Sequence, residues 1–179
     1  MNLTAAAIIA QTITFAALVT AAIWYAAPWM TRHSLATALT APLWIHALRQ
    51  IAMQIFSARK FGFDVPLGLA REIAWGDVVG ALLALTCLWL LRYRSRWARI
   101  VLWIFVAETV IDLVNATIQG IRNEVFTTAN GVTWVILNFY VPLLWVTIAL
   151  IAWRLISPDE VPEPSARPDA TLDALNVNR

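Results

Sequence analysis

The feature that most constrains the fold is a run of apolar residues, 100–121, that carries two acids and two amides. At 1.5 Å per residue, a helix of this length crosses a hydrocarbon core of roughly 30 Å. At 100° per residue, four polar side chains of the run fall within roughly 60° of one another: Glu108, Asp112, Asn115 and Gln119. Because ionisable groups at membrane depth rarely face lipid, we expect other helices to pack against this polar stripe.

The composition of the whole chain is typical of a membrane protein. Of its 179 residues, 60% are apolar and 13% are charged, whereas a soluble domain has about a quarter charged residues. The net charge of +2 does not indicate a nucleic-acid partner. An internal disulfide is excluded, since Cys87 is the single cysteine. The composition therefore predicts an all-α integral membrane protein, with membrane lipids as its surroundings.

The apolar runs predict a compact bundle of five transmembrane helices, at about 3–27, 34–58, 72–91, 100–121 and 132–156. We expect the first helix to end at Pro28, and to be retained as a membrane span because no Lys or Arg precedes it as in a signal peptide. Residues 157–179, rich in Pro, Asp, Glu and small side chains, are predicted to form a disordered cytoplasmic tail.

The second span is the one for which the sequence supports two structures. It contains Pro42, and we expect one crossing helix that is kinked there. The alternative is an interfacial amphipathic helix beginning at Pro42, which would leave four crossings. Residues 59–71 then form a connection, whose apolar part 61–69 is too short to cross and is expected to lie at the interface as a lid or a packed loop.

The basic residues predict the orientation of the bundle. The most basic loop carries Arg92, Arg94, Arg96 and Arg99, and it is short enough for the positive-inside rule to apply. This loop should be cytoplasmic. With five crossings, the N-terminus is then outside and the C-terminus inside, and we expect a multi-pass protein of a bacterial inner membrane.

Polar residues from all five predicted helices fall at similar depths, in the outer half of the bilayer, with Glu108 somewhat below its centre. Arg49 is the only basic residue deep in a span, and we expect it to pair with Asp112 or Glu108. At least one acid is then left without a basic partner, which favours a functional site over a purely structural pair. The candidate ligand-binding residues are Arg49, His46, Gln50, Gln54, Asp77, Glu108, Asp112, Asn115, Gln119 and Asn138.

These residues predict a partly hydrated pocket that binds or passes a small amphiphilic or cationic ligand. No cofactor or metal is expected. The only lysine, Lys60, lies at a helix end, where it could not hold retinal. The only two histidines, His33 and His46, are too far apart to be the two axial ligands of a haem.

Three alternatives remain open at this stage. One is an intramembrane enzyme in which a protonated carboxylic acid, most favourably Glu108, acts on an apolar substrate and another acid steadies the cation formed. Its candidate catalytic residues are Glu108 and Asp112, although the sequence favours a protein that is not an enzyme. Another is that the buried pair only holds helices in register. The last is a subunit of a homo- or hetero-oligomer that packs through the small residues Gly76, Gly80 and Ala84.

Overall fold

The computed structural model describes residues 3–63, 65–129 and 131–158, and within these ranges the chain is helical apart from short connections. Four helices are long and apolar enough to cross a membrane: α1 (Leu3–Thr31), α4 (Leu67–Arg92), α5 (Ala98–Arg122) and α7 (Gly131–Ile156). Their length and composition identify a multi-pass membrane protein. The predicted tail lies outside the described residues from position 159 onward.

Two of the long helices contain a wide π turn just before a proline. In α1 the turn is Ala22–Ala26, followed by Pro28, and in α7 it is Ile136–Tyr140, followed by Pro142. Proline lacks an N–H group and its ring collides with a carbonyl of the preceding turn, so the helix widens there and then continues. The prediction that the first helix ends at Pro28 was therefore wrong by one turn.

The second predicted span is broken into three pieces: α2 (Leu35–Ala47), a 3₁₀ helix (Arg49–Gln54) and α3 (Ile55–Lys60). The prediction of one continuous helix was wrong, because the α-helix ends at Leu48 (φ −90°, ψ 5°), whereas Pro42 lies buried inside α2. A 3₁₀ helix winds more tightly than an α-helix and so changes which way its residues point. Here it begins at Arg49, a fully buried arginine.

The connection between α3 and α4 is packed and is shorter than predicted. Phe63 and Val65 are each 1% exposed, as the packed-loop alternative required. Pro66, in an extended conformation, precedes the first turn of α4, so this helix begins at Leu67 and not at residue 72. Between α5 and α7, the predicted turn contains one further helical turn, α6 (Val125–Thr128).

The helices enclose two apolar cores with polar side chains between them. One core contains Leu39, Phe105 and Ile148, and the other contains Phe63 and Leu69. The α2 helix and the 3₁₀ helix both pack along α4, which in turn packs on α5. The first helix lies at the edge of the bundle, mainly against α7. Arg49 lines a cavity together with residues of both cores.

Candidate functional site

The site is built around the guanidinium group of Arg49, which is 0% exposed. Its Nε donates to Asp77 Oδ1 on α4 at 2.8 Å, and its Nη2 donates to the Asp112 carboxylate on α5. Its Nη1 donates to Thr109 Oγ1, also on α5, at 3.3 Å. The expected Arg49–Asp112 pair is therefore present, and Arg49 joins its own segment to two long helices.

Two glycines on α4 provide the space that this cluster occupies. A Cβ atom added at Gly76 would lie 2.8 Å from Asp112 Cγ, and one added at Gly80 would lie 3.0 Å from Arg49 Cζ. Ala84, one turn further on, is 0% exposed in the apolar core. The fold thus accounts for these small residues without a second chain, and their role in an oligomer stays a prediction.

A third carboxyl group, that of Glu108, lies one turn of α5 before Asp112. Thr109 Oγ1 donates to Glu108 Oε2 at 3.3 Å, so the same hydroxyl contacts both Arg49 and Glu108. If Asp77, Glu108 and Asp112 were all ionised, their −3 and the +1 of Arg49 would give the cluster a net charge of −2. In a low-dielectric site, such an excess favours uptake of protons or of a cation.

A cavity of about 80 Å³ adjoins the cluster. Arg49, Asp77 and Asp112 line one side of it, and Phe126 and Tyr140 are among the largely apolar side chains that line the rest. A volume of this size holds a few water molecules or a small polar group, whereas pockets for drug-sized ligands measure about 300–1,000 Å³. The cavity can therefore take the head of an amphiphile but not its apolar body.

Other polar groups extend the lining of this cavity. Gln54 Nε2 donates to Thr133 Oγ1 at 3.0 Å, and both residues line the cavity. The Tyr140 hydroxyl donates to the backbone carbonyl of Ile45 at 2.6 Å, which ties α7 to α2. Of the predicted site residues, the structure thus brings Gln54 to the cavity together with Arg49 and the two aspartates.

The remaining predicted residues lie apart from the cavity. His46 is 0% exposed, with its Nε2 3.0 Å from Thr147 Oγ1 and its ring edge-on to Phe105. Asn138 donates to a carbonyl of its own helix. None of four further candidates lines the cavity: Gln50, which is exposed; Asn115, which donates to Glu72 Oε1 at 2.8 Å; Gln119; and Glu108 itself. The structure therefore does not bring these residues to the cavity, and the depth of the polar groups in the bilayer stays a prediction.

Several residues of the site were not predicted. Thr109, Thr133 and Tyr140 each bond across helices. A threonine in a helix ordinarily bonds back to a carbonyl of its own helix, so the sequence carried no signal for the first two. In the described ranges, no three His, Cys, Asp or Glu side chains are grouped so as to hold a metal ion.

A family model described as "Domain of unknown function (DUF8737)" matches residues 6–156. Neither a curated protein nor a solved structure matches the chain. The matched range contains the whole Arg49 cluster and every residue that lines the cavity beside it.

Proposed function

Because the chain belongs to the family described as a domain of unknown function, DUF8737, we propose its function from its own site: the acidic intramembrane cavity binds or passes a small cationic group, such as the head of an amphiphile. The observation that carries this proposal is the excess of carboxyl groups. Three of them surround one guanidinium, and two of the three line the cavity. A monovalent cation in the cavity would offset part of that negative charge.

The cavity has further properties that suit a small cation. Its volume of about 80 Å³ accepts a group of ammonium size. The rings of Phe126 and Tyr140 are among its lining residues, and aromatic faces attract cations within about 6 Å. Arg49 donates hydrogen bonds to the carboxylates of Asp77 and Asp112. An entering cation therefore meets carboxylates whose positions are already fixed.

The proposal includes the topology of the chain. The broken segment from α2 to α3 serves as a fifth crossing, since α2 and the 3₁₀ helix pack along α4. With the arginine-rich loop between α4 and α5 in the cytoplasm, the N-terminus is outside and the C-terminus inside. The cavity then lies in the outer half of a bacterial inner membrane.

A thermal-shift experiment on the full chain in a nonionic maltoside detergent tests the proposed binding. Tetramethylammonium and methylammonium should each raise the melting temperature of the wild type. Asp112→Asn keeps the shape of the side chain but removes one ionised partner, so it should weaken cation binding by about tenfold or more, which corresponds to 1.4 kcal/mol.

The matched control is Glu124→Gln, which removes a carboxylate from an exposed residue between α5 and α6 that does not line the cavity. This variant should bind both cations as the wild type does. If neither cation shifts the melting temperature of the wild type, while Asp112→Asn still lowers stability, the cluster is only structural and the proposal is overturned.

A further inference from the structure

A second, larger space lies on the other side of one wall of the cavity. This groove, between α1, α5 and α7, measures about 680 Å³. Its lining is mostly apolar and includes Phe15, Ala16, Val19, Pro142 and Trp145. Phe15 and Ala16 are exposed, so the groove is open along the edge of the bundle that would face lipid.

The wall between the two spaces is formed by residues that line both of them: Thr117, Phe126 and Val141. The ring of Phe126 packs against Gly120, where an added Cβ atom would come within 2.7 Å of Phe126 Cε2. Phe126 belongs to the four-residue helix α6, which follows Glu124 in a left-handed conformation (φ 53°). The largest side chain of this wall is thus carried by a short connection and not by a long helix.

We infer that Phe126 is a gate between the cavity and the groove, and that the ligand is a single-chain cationic amphiphile that enters sideways from the membrane. Its head lies beside Asp77 and Asp112, and its chain lies in the groove. This inference rests on the proposed function, because it needs the cavity to bind a cation. It explains how a cavity that is too small for an amphiphile can serve one.

Entry through the groove keeps each part of the amphiphile in surroundings that suit it. An apolar chain that moves from lipid into an apolar groove never has to enter water, whereas a route from the aqueous side would expose it. The head exchanges the membrane interface for two carboxylates, whose attraction offsets part of its desolvation cost. A side opening at the groove satisfies both requirements when the Phe126 ring turns away from Gly120.

The test compares ligands of one head group and increasing chain length: tetramethylammonium, octyltrimethylammonium and dodecyltrimethylammonium. Binding is measured by tryptophan fluorescence on the full chain in phosphatidylcholine nanodiscs, with empty nanodiscs subtracted. The wild type should bind the dodecyl compound more tightly than tetramethylammonium. Phe126→Ala should speed association of the dodecyl compound, and an unchanged association rate would show that Phe126 is not the gate.

A second variant keeps the inference falsifiable if Phe126→Ala folds poorly. Ala16→Trp fills the groove, and it should lower affinity for the dodecyl compound by about tenfold without changing that for tetramethylammonium. Ala17→Trp is the matched control, because Ala17 is also exposed on α1 but does not line the groove. It should bind all three compounds as the wild type does.

The outcomes separate the two proposals. If tetramethylammonium binds and Asp112→Asn weakens it, but chain length and Ala16→Trp have no effect, side entry is wrong and the proposed function stands. If tetramethylammonium does not bind at all, the proposed function fails. If Ala16→Trp and Ala17→Trp reduce binding of the dodecyl compound equally, the effect is not specific to the groove and the inference is overturned.

Discussion

Replacing Gly80 with alanine should destabilise the bundle, although alanine is the better helix former. An alanine Cβ at this position would lie 3.0 Å from Arg49 Cζ, closer still to Nη1, and 3.3 Å from Glu108 Oε2. The end of an arginine side chain can usually move aside. Here the side chain is 0% exposed and is held by two aspartates and Thr109, so it cannot move without losing hydrogen bonds.

The expected magnitude follows from these contacts. Interhelical hydrogen bonds in membranes average about 0.6 kcal/mol and reach about 1.7, while bonds to charged groups contribute about 1.5–3 kcal/mol. Displacing the guanidinium weakens one to three such bonds. The higher helix propensity of alanine relative to glycine offsets about 1 kcal/mol of this loss. Gly80→Ala should therefore lower the free energy of unfolding by about 1–3 kcal/mol.

The assay is equilibrium unfolding in mixed micelles of maltoside and dodecyl sulfate, followed by far-UV circular dichroism. Gly68→Ala is the control on the same helix, because an added Cβ there meets nothing within 4 Å. It should be neutral or stabilising by up to about 1 kcal/mol. In an Arg49→Met background, the cost of Gly80→Ala should shrink. If Gly80→Ala is as stable as Gly68→Ala, Gly80 does not make room for Arg49 and the reasoning is refuted.

Two further predictions concern the buried arginines. Arg49→Met should lower the free energy of unfolding by about 3–5 kcal/mol, because three carboxyl groups lose their cation, and a loss below about 1 kcal/mol in the same unfolding assay would contradict this. Arg154, 3% exposed, donates to the backbone carbonyls of Met30 and His33. Arg154→Met should therefore loosen the end of α1 and speed tryptic cleavage after Arg32, whereas an unchanged cleavage rate would show that other contacts hold this turn.

The success of the sequence-based prediction varied along the chain for a physical reason. The two C-terminal spans were placed within two residues at each end, since α5 and α7 are bounded by basic or turn-forming residues. The span containing Pro42 failed, because whether a proline or a buried arginine breaks a helix depends on what packs around it. The predicted end of the first helix at Pro28 was wrong for the same reason, since a π turn before the proline lets the helix continue.

The sequence showed an excess of acids over one arginine within the predicted spans. The structure brings these charged residues together in one cluster: Arg49, Asp77, Glu108 and Asp112. Depth along each span, however, was a poor guide to proximity. His46 and Asn138 were predicted at suitable depths, but their side chains bond elsewhere. Depth gives only the position of a residue along the helix axis. The rotation of the helix about that axis decides which neighbour the side chain meets.

What the sequence by itself determined is the membrane character of the chain, the polar stripe on α5 and the excess of acids over one arginine, since these follow from composition and helical period alone. What only the tertiary structure decided is which groups pair, that Gly76 and Gly80 leave room for them, and that Phe126 separates a small cavity from an open groove. Arg49 contacts residues 28 and 63 positions away. Contacts over such separations depend on how helices rotate and pack against one another, and no local pattern encodes that.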